Sequence, residues 1–143
     1  MPEALTANAE VLIEVPVNKV WEAFVDPKLI KKYMFGTTVK TDWKKGSKIF
    51  WRGEWNGKPY EDNGEILENK KLELLKYTYY SSISDKGDEP ENYNTITVQL
   101  TNYGDKTKVV LTQDNIDTLE AKDHSEENWK IVFDKLKMML ETD

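Results

Sequence analysis

Trp51, Trp55, Tyr77, Tyr79, Trp129 and Phe133 stand at spacings that can turn all six rings toward one interior. Such a wall is apolar across the ring faces and polar at the tryptophan and tyrosine tips, which suits a small hydrophobic or aromatic molecule. The same rings can instead pack on one another and fill the space as core. Tyr77 and Tyr79 alternate on one strand, and each phenol needs a partner when buried, which favours a wet pocket. Gln113 continues the inward alternation of Val109 and Leu111, with Asn115 behind it. It can orient a ligand at the cavity end, or bond to backbone where its strand exits. Asp62 is in phase with Tyr60. Turned inward, Asp62, Glu65 or a pocket tyrosine with a strongly shifted pKa would supply a base; exposed or paired, they would not.

Other chemistries find little support. The chain has 143 residues, no cysteine and one histidine. His124 therefore has no second histidine or thiolate to complete a metal set, and reads as a surface residue beside the last helix. Asp85-x-x-Asp88-Glu89 lacks the spaced ligands and glycine of a calcium loop. No phosphate-cradling glycine loop, serine elbow or HExxH occurs, so neither a catalytic residue nor a cofactor is assigned. A net charge of −6 opposes nucleic-acid binding, and the small groups Lys28, Lys31, Lys32 and Lys44, Lys45, Lys48 read as solvated turns. No apolar run approaches the roughly 20 residues that span a bilayer, and no signal-peptide pattern opens the chain. Lack of cysteine suits a reducing cytoplasm. A cytoplasmic protein of one domain, residues 1–143, is the expectation.

The elements that must position these groups follow from periodicity. Residues 9–15 alternate as a strand that Pro16 ends. Val17, Val20, Trp21 and Phe24 mark a short helix with one apolar face, and Asp26-Pro27 restarts a second helix that Gly36 ends. A meander follows, with strands at 39–43, 48–55, 58–67, 72–80, 93–101 and 106–113. Asn56-Gly57 is its strongest hairpin signal. The polar segment 81–91 is the mobile loop of this reading. Residues 125–141 form a long amphipathic helix, opened by an Asp123-x-x-Glu126 capping box, with Trp129, Val132, Phe133, Leu136 and Leu140 on one face. Consecutive hairpins with helices on one face give an α+β fold. Ile131 and Met138, opposite Trp129, are ordinary exposed residues or mark a dimer or protein-docking stripe, which Val110 could extend.

Val20-Trp21-Glu22-Ala23-Phe24-Val25-Asp26-Pro27 resembles the early VW-x-A-x-x-DP signature of the SRPBCC, or START-like, superfamily. The run from Gly53 to Tyr60, with Asn128-Trp129 through Leu136 and Leu140-Glu141, looks like its branch named for the activator of heat-shock-protein-90 ATPase. Tyr33 stands where a tryptophan is common, and Asn128 where a glycine often precedes the helix tryptophan. The resemblance implies a helix-grip (START-like, Bet v 1-like) fold: a seven-stranded antiparallel sheet curled around the C-terminal helix, with two short helices after strand 1.

Three functions stay open. The first is a non-enzymatic binder whose small hydrophobic or aromatic ligand lies between sheet and helix. Trp51, Trp55, Tyr77, Tyr79, Trp129 and Phe133 would form its pocket, Gln113 its polar end, and Met34-Phe35 with the loop after Tyr80 its gate. The second, implied by the resemblance, is a stress-associated chaperone partner. The third is a cyclase- or hydrolase-type enzyme using the same cavity. Monomer and homodimer are both open.

Overall fold

The computed structural model describes residues 4–82 and 87–142. The side chain of Trp55 and residue Asp85 of the acidic segment lie outside what is described.

Strict alternation sets the centre of the sheet. In β6 (Asn94–Asn102) Ile96, Val98 and Leu100 are buried, and in β7 (Thr107–Ile116) Val109 and Leu111 are buried beside them. The intervening threonines turn to the other face, as a period of two requires. The remaining strands are β1 (Leu5–Ile13), β2 (Thr38–Lys40), β3 (Lys48–Trp55), β4 (Lys58–Lys70) and β5 (Leu74–Tyr79). All pairings are antiparallel, in the order β1-β7-β6-β5-β4-β3-β2. From β2 to β7 each strand lies beside its successor. Only β1 returns from afar, to pair with β7, so β1 and β2 are the two edges.

Two short helices carry the chain from one edge to the other: α1 (Val17–Val25) and α2 (Pro27–Tyr33). The Asp26 side chain accepts the Lys28 N–H at 2.9 Å, and Pro27 takes the first helical position, where no N–H is needed. Tyr33 donates its hydroxyl to the Ala23 carbonyl at 2.6 Å and meets Phe24 edge to face. It thus fastens α2 to α1 with a polar tip. Gly36 ends α2 by donating to the Lys31 carbonyl, the outer bond of a Schellman turn. The left-handed residue ahead of it is Phe35, at φ 55°.

The long helix α3 (Leu119–Glu141) begins earlier than its apolar periodicity predicts. Thr118 is the cap, its hydroxyl accepting from the Ala121 N–H at 3.0 Å, so Asp123 and Glu126 lie inside the helix and form no capping box. Glu126 instead accepts the Asn8 N–H of β1 at 2.9 Å. Lys137 donates to the Leu12 carbonyl at 2.9 Å, and Glu141 accepts the Glu14 N–H at 2.8 Å. An edge strand has backbone groups on one side that no strand satisfies. Here α3 side chains meet two of them, at Asn8 and Leu12, and a third group just past the strand at Glu14. Val132, Phe133 and Leu136 are buried against the sheet, while Ile131 and Met138 are exposed.

The strands also differ from expectation at their ends. β1 spans Leu5–Ile13 rather than 9–15, because Ala7, wholly buried, continues the inward phase with a small side chain. β2 stops at Lys40, where Thr41 bonds the Lys48 carbonyl and Trp43 turns to φ 67°. Among the described residues no helix is long and apolar enough to cross a membrane.

Candidate ligand cavity

Between the inner face of the sheet, the first half of α3 and the end of α2 lies a cavity of about 250 Å³. Trp51 of β3, Tyr77 and Tyr79 of β5 and Trp129 of α3 stand on its wall. Alternation along β3 and β5 turns these side chains inward, and Trp129 leads the apolar face of α3. The Trp51 ring lies 5.4 Å from Tyr77 and 5.1 Å from Tyr79, the latter nearly perpendicular. Ile96 and Val132 complete the apolar surface, and Met34 and Phe35 stand at the α2 end. Phe35 is 58% exposed, and the Lys135 ammonium of α3 lies 5.3 Å from its ring centroid.

The inner part of the grip is closed. A void of about 20 Å³ below the cavity shares Met34, Trp51 and Trp129 with it and ends among Phe24, Ile30 and Leu111. That is room for about one water. The aromatic side chains therefore do both things the sequence allows. They pack the inner half as core and leave the outer half open.

Several polar groups of the wall are held by hydrogen bonds. Trp129 donates its indole N–H to Gln113 Oε1 at 2.8 Å, and Gln113 Nε2 donates to Asn94 Oδ1 at 3.2 Å. Thr37 and Tyr60 share a hydrogen bond of 2.9 Å. Tyr60 lies over Gly53, its partner across the β3–β4 hairpin, where a side chain would leave the ring no room. Asp62 is 6% exposed and accepts from the Tyr79 hydroxyl at 2.6 Å, the Ser82 N–H at 2.8 Å and the Ser82 hydroxyl at 3.0 Å. Among the described residues, no buried side-chain polar atom lacks a partner.

Burial holds the Tyr77 phenol well above the usual tyrosine range. Tyr79 is raised by burial first, then by the Asp62 charge and its hydrogen bond. Both are therefore protonated donors at neutral pH, not bases. Among the described residues no cluster of His, Cys, Asp and Glu is arranged to hold a metal ion.

Of the residues singled out from sequence, Met34, Phe35, Trp51, Tyr77, Tyr79, Gln113 and Trp129 meet at this cavity. Phe133 does not line it: one helical turn beyond Trp129, it is 2% exposed in the core, 6.2 Å from the Trp129 ring. The Trp55 side chain lies outside the described residues. Glu65 is exposed, away from the cavity. Asn115, at φ 57°, donates to the Glu91 and Tyr93 carbonyls and braces the 3-10 turn Pro90–Asn92. His124 is exposed, as expected, yet it joins Ser125 and Asn128 at the rim. Thr37 and Tyr60 were not singled out as pocket residues. The register fixed by Asn56-Gly57 places Tyr60 opposite Gly53, a cross-strand aromatic–glycine pair that could have found one of them.

The family described as "Activator of Hsp90 ATPase homolog 1-like protein" matches residues 14–141. Among solved structures, the solution structure of ChR145 from Cytophaga hutchinsonii is 47% identical, covers 99% of this chain and 97% of that one, and superposes with a TM-score of 0.87. MLL2253 from Mesorhizobium loti is 21% identical over 96% of this chain and 98% of that one, with a TM-score of 0.80. CalU16 from Micromonospora echinospora is 18% identical over 95% and 83%, with a TM-score of 0.71. These last two share the fold. No curated protein matches the chain.

Proposed function

The chain belongs to the Activator of Hsp90 ATPase homolog 1-like family, within the SRPBCC superfamily, and from that premise we propose that it is a non-enzymatic carrier or sensor of a small hydrophobic or aromatic molecule. The observation that carries this reading is the open outer half of the grip. A cavity of about 250 Å³ is walled by Trp51, Tyr77, Tyr79 and Trp129. It lies just under the range of about 300–1,000 Å³ common for small-molecule sites, so the occupant is compact. Trp129 is paired with Gln113, Thr37 with Tyr60 and Tyr79 with Asp62, and the buried phenols hold their protons, which suits recognition better than turnover. A cytoplasmic setting agrees with the lack of cysteine.

Native and denaturing mass spectra of the purified protein test it first. A surplus mass present only in the native spectrum supports the reading and begins to identify the ligand. With a clean apo spectrum, calorimetry against small naphthalene derivatives decides: no heat from any of them removes the binding reading.

The exposure of Ile131 (48%) and Met138 (68%) on the outer face of α3 favours a second reading, in which that face meets the Hsp90 chaperone after which the family is named. An unchanged chaperone ATPase rate and an empty pull-down would exclude it.

A further inference from the structure

Asp62 is the one carboxylate on the described wall of the cavity, and three hydrogen bonds from described residues reach it. An ionised carboxylate offers about four acceptor positions. Tyr79 takes one on Oδ2, and Ser82 takes two on Oδ1 through its N–H and hydroxyl. One Oδ2 position is left among the described residues. A charge removed from water in this way gains from every donor that reaches it. The other described lining residues include no lysine or arginine, and the rings of Trp51, Tyr77, Tyr79 and Trp129 stand around the same space. Aromatic faces attract cations and repel anions.

Resting on the binding reading above, we propose that Asp62 is the group that orients the ligand, and that the ligand is a small amine, protonated and carried on an aromatic or aliphatic body. The ammonium N–H completes the acceptor set of Oδ2, the rings stabilise the positive charge, and the apolar body lies against Ile96 and Val132. Carboxylic acids of the same shape are disfavoured, because their anion would face Asp62, while the basic groups at this cavity, His124 on the rim and Lys135 beside Phe35, are both exposed. Donation by Tyr79 and Ser82 keeps the carboxylate in one orientation before the ligand arrives, so little ordering is needed on binding.

Three probes of one shape test this: 1-naphthylmethylammonium, 1-naphthylmethanol and 1-naphthoate, titrated into the whole chain at neutral pH by calorimetry. The expected order is ammonium, then alcohol, then carboxylate, with the first and last separated by about tenfold or more. In Asp62→Asn the separation between ammonium and carboxylate falls to about threefold or less. Equal affinities, or a preference for 1-naphthoate, overturn the amine assignment and leave the cavity reading standing. No binding of any probe overturns both. A preference that survives in Asp62→Asn removes Asp62 from the role. Should that variant not fold, the Asp62 carboxyl carbon resonance of the unmodified protein decides: it shifts with the ammonium probe if the proposal holds and stays fixed if it does not.

Discussion

Trp129 on α3 and Gln113 on β7 are joined by an indole-to-amide hydrogen bond of 2.8 Å that crosses the end of the cavity. The indole ring is part of the wall, and its only donor is engaged by the sheet instead of pointing at solvent. Asn94 of β6 then fixes the other end of the Gln113 amide. Helix position, ring orientation and amide orientation are thus one linked arrangement. The cavity is shaped before any ligand enters.

Gln113→Ala breaks this link and leaves a half-buried indole N–H without its partner. The expected loss is about 1–3 kcal/mol of unfolding free energy, read as a lower urea midpoint at unchanged m-value. Near-ultraviolet circular dichroism should weaken as the Trp129 ring loses its fixed orientation. A variant as stable as the parent, with an unchanged aromatic spectrum, would show that packing alone positions the ring.

Acid should loosen α3 from β1. The Asn8 N–H, then Lys122, hold the Glu126 carboxyl below its ordinary value of 4.5. Lys137, then the Glu14 N–H, do the same for Glu141. A lowered folded-state pKa means that the unfolded chain binds more protons as the pH drops. The stabilisation is therefore complete above about pH 4.5 and is lost as pH falls through the lowered folded values. Both groups are still partly open to solvent, so salt weakens the contribution. Glu126→Gln should be less stable than the parent at pH 7, and the two unfolding midpoints should converge below pH 4. Parallel acid profiles would contradict this.

Alkali acts on the cavity itself. Burial raises Tyr33, Tyr77 and Tyr79 above the tyrosine value of 10. Each contributes stability that is whole below pH 10 and is lost as pH rises toward the raised folded value. Absorbance at 295 nm should therefore show a late step that coincides with loss of far-ultraviolet circular dichroism. Complete tyrosine ionisation in a chain that keeps its dichroism would mean that water reaches these phenols freely.

What could be read from sequence divides along physical lines. Ile96, Val98, Leu100, Val109 and Leu111 are large, apolar and strictly alternating, so the strands and their inner faces were legible. Residues 119–124 at the start of α3 are mostly polar and make no apolar stripe. Their helix depends on one threonine hydroxyl, at Thr118, and on the docking of Glu126 to β1. The cavity wall was legible where an aromatic continued a strand's phase, as at Trp51, Tyr77 and Tyr79. It was hidden at Thr37, which reaches the cavity only because the chain turns left-handed at Phe35. No period encodes such a turn.

Two glycines face the cavity's strands and should respond differently to a methyl group. At Gly64 a Cβ would stand 1.8 Å from the Thr78 carbonyl oxygen, which is backbone of the neighbouring strand β5. Neither strand can yield without breaking the ladder that continues to the Asn63–Tyr80 bridge. Gly64→Ala should therefore cost about 1–3 kcal/mol or more and lower the thermal midpoint by several degrees. At Gly53 the obstacle is the Tyr60 hydroxyl, 2.7 Å from the added Cβ, at the far end of a side chain that can swing away. Gly53→Ala should sacrifice the Thr37–Tyr60 bond, at about 0.5–1.5 kcal/mol, and widen the cavity where Tyr60 stood. The first variant should show its effect in denaturation, the second chiefly in affinity for larger naphthalene probes. If Gly53→Ala proves the more damaging of the two to stability, the Tyr60 ring is pinned by more than the Thr37 hydroxyl.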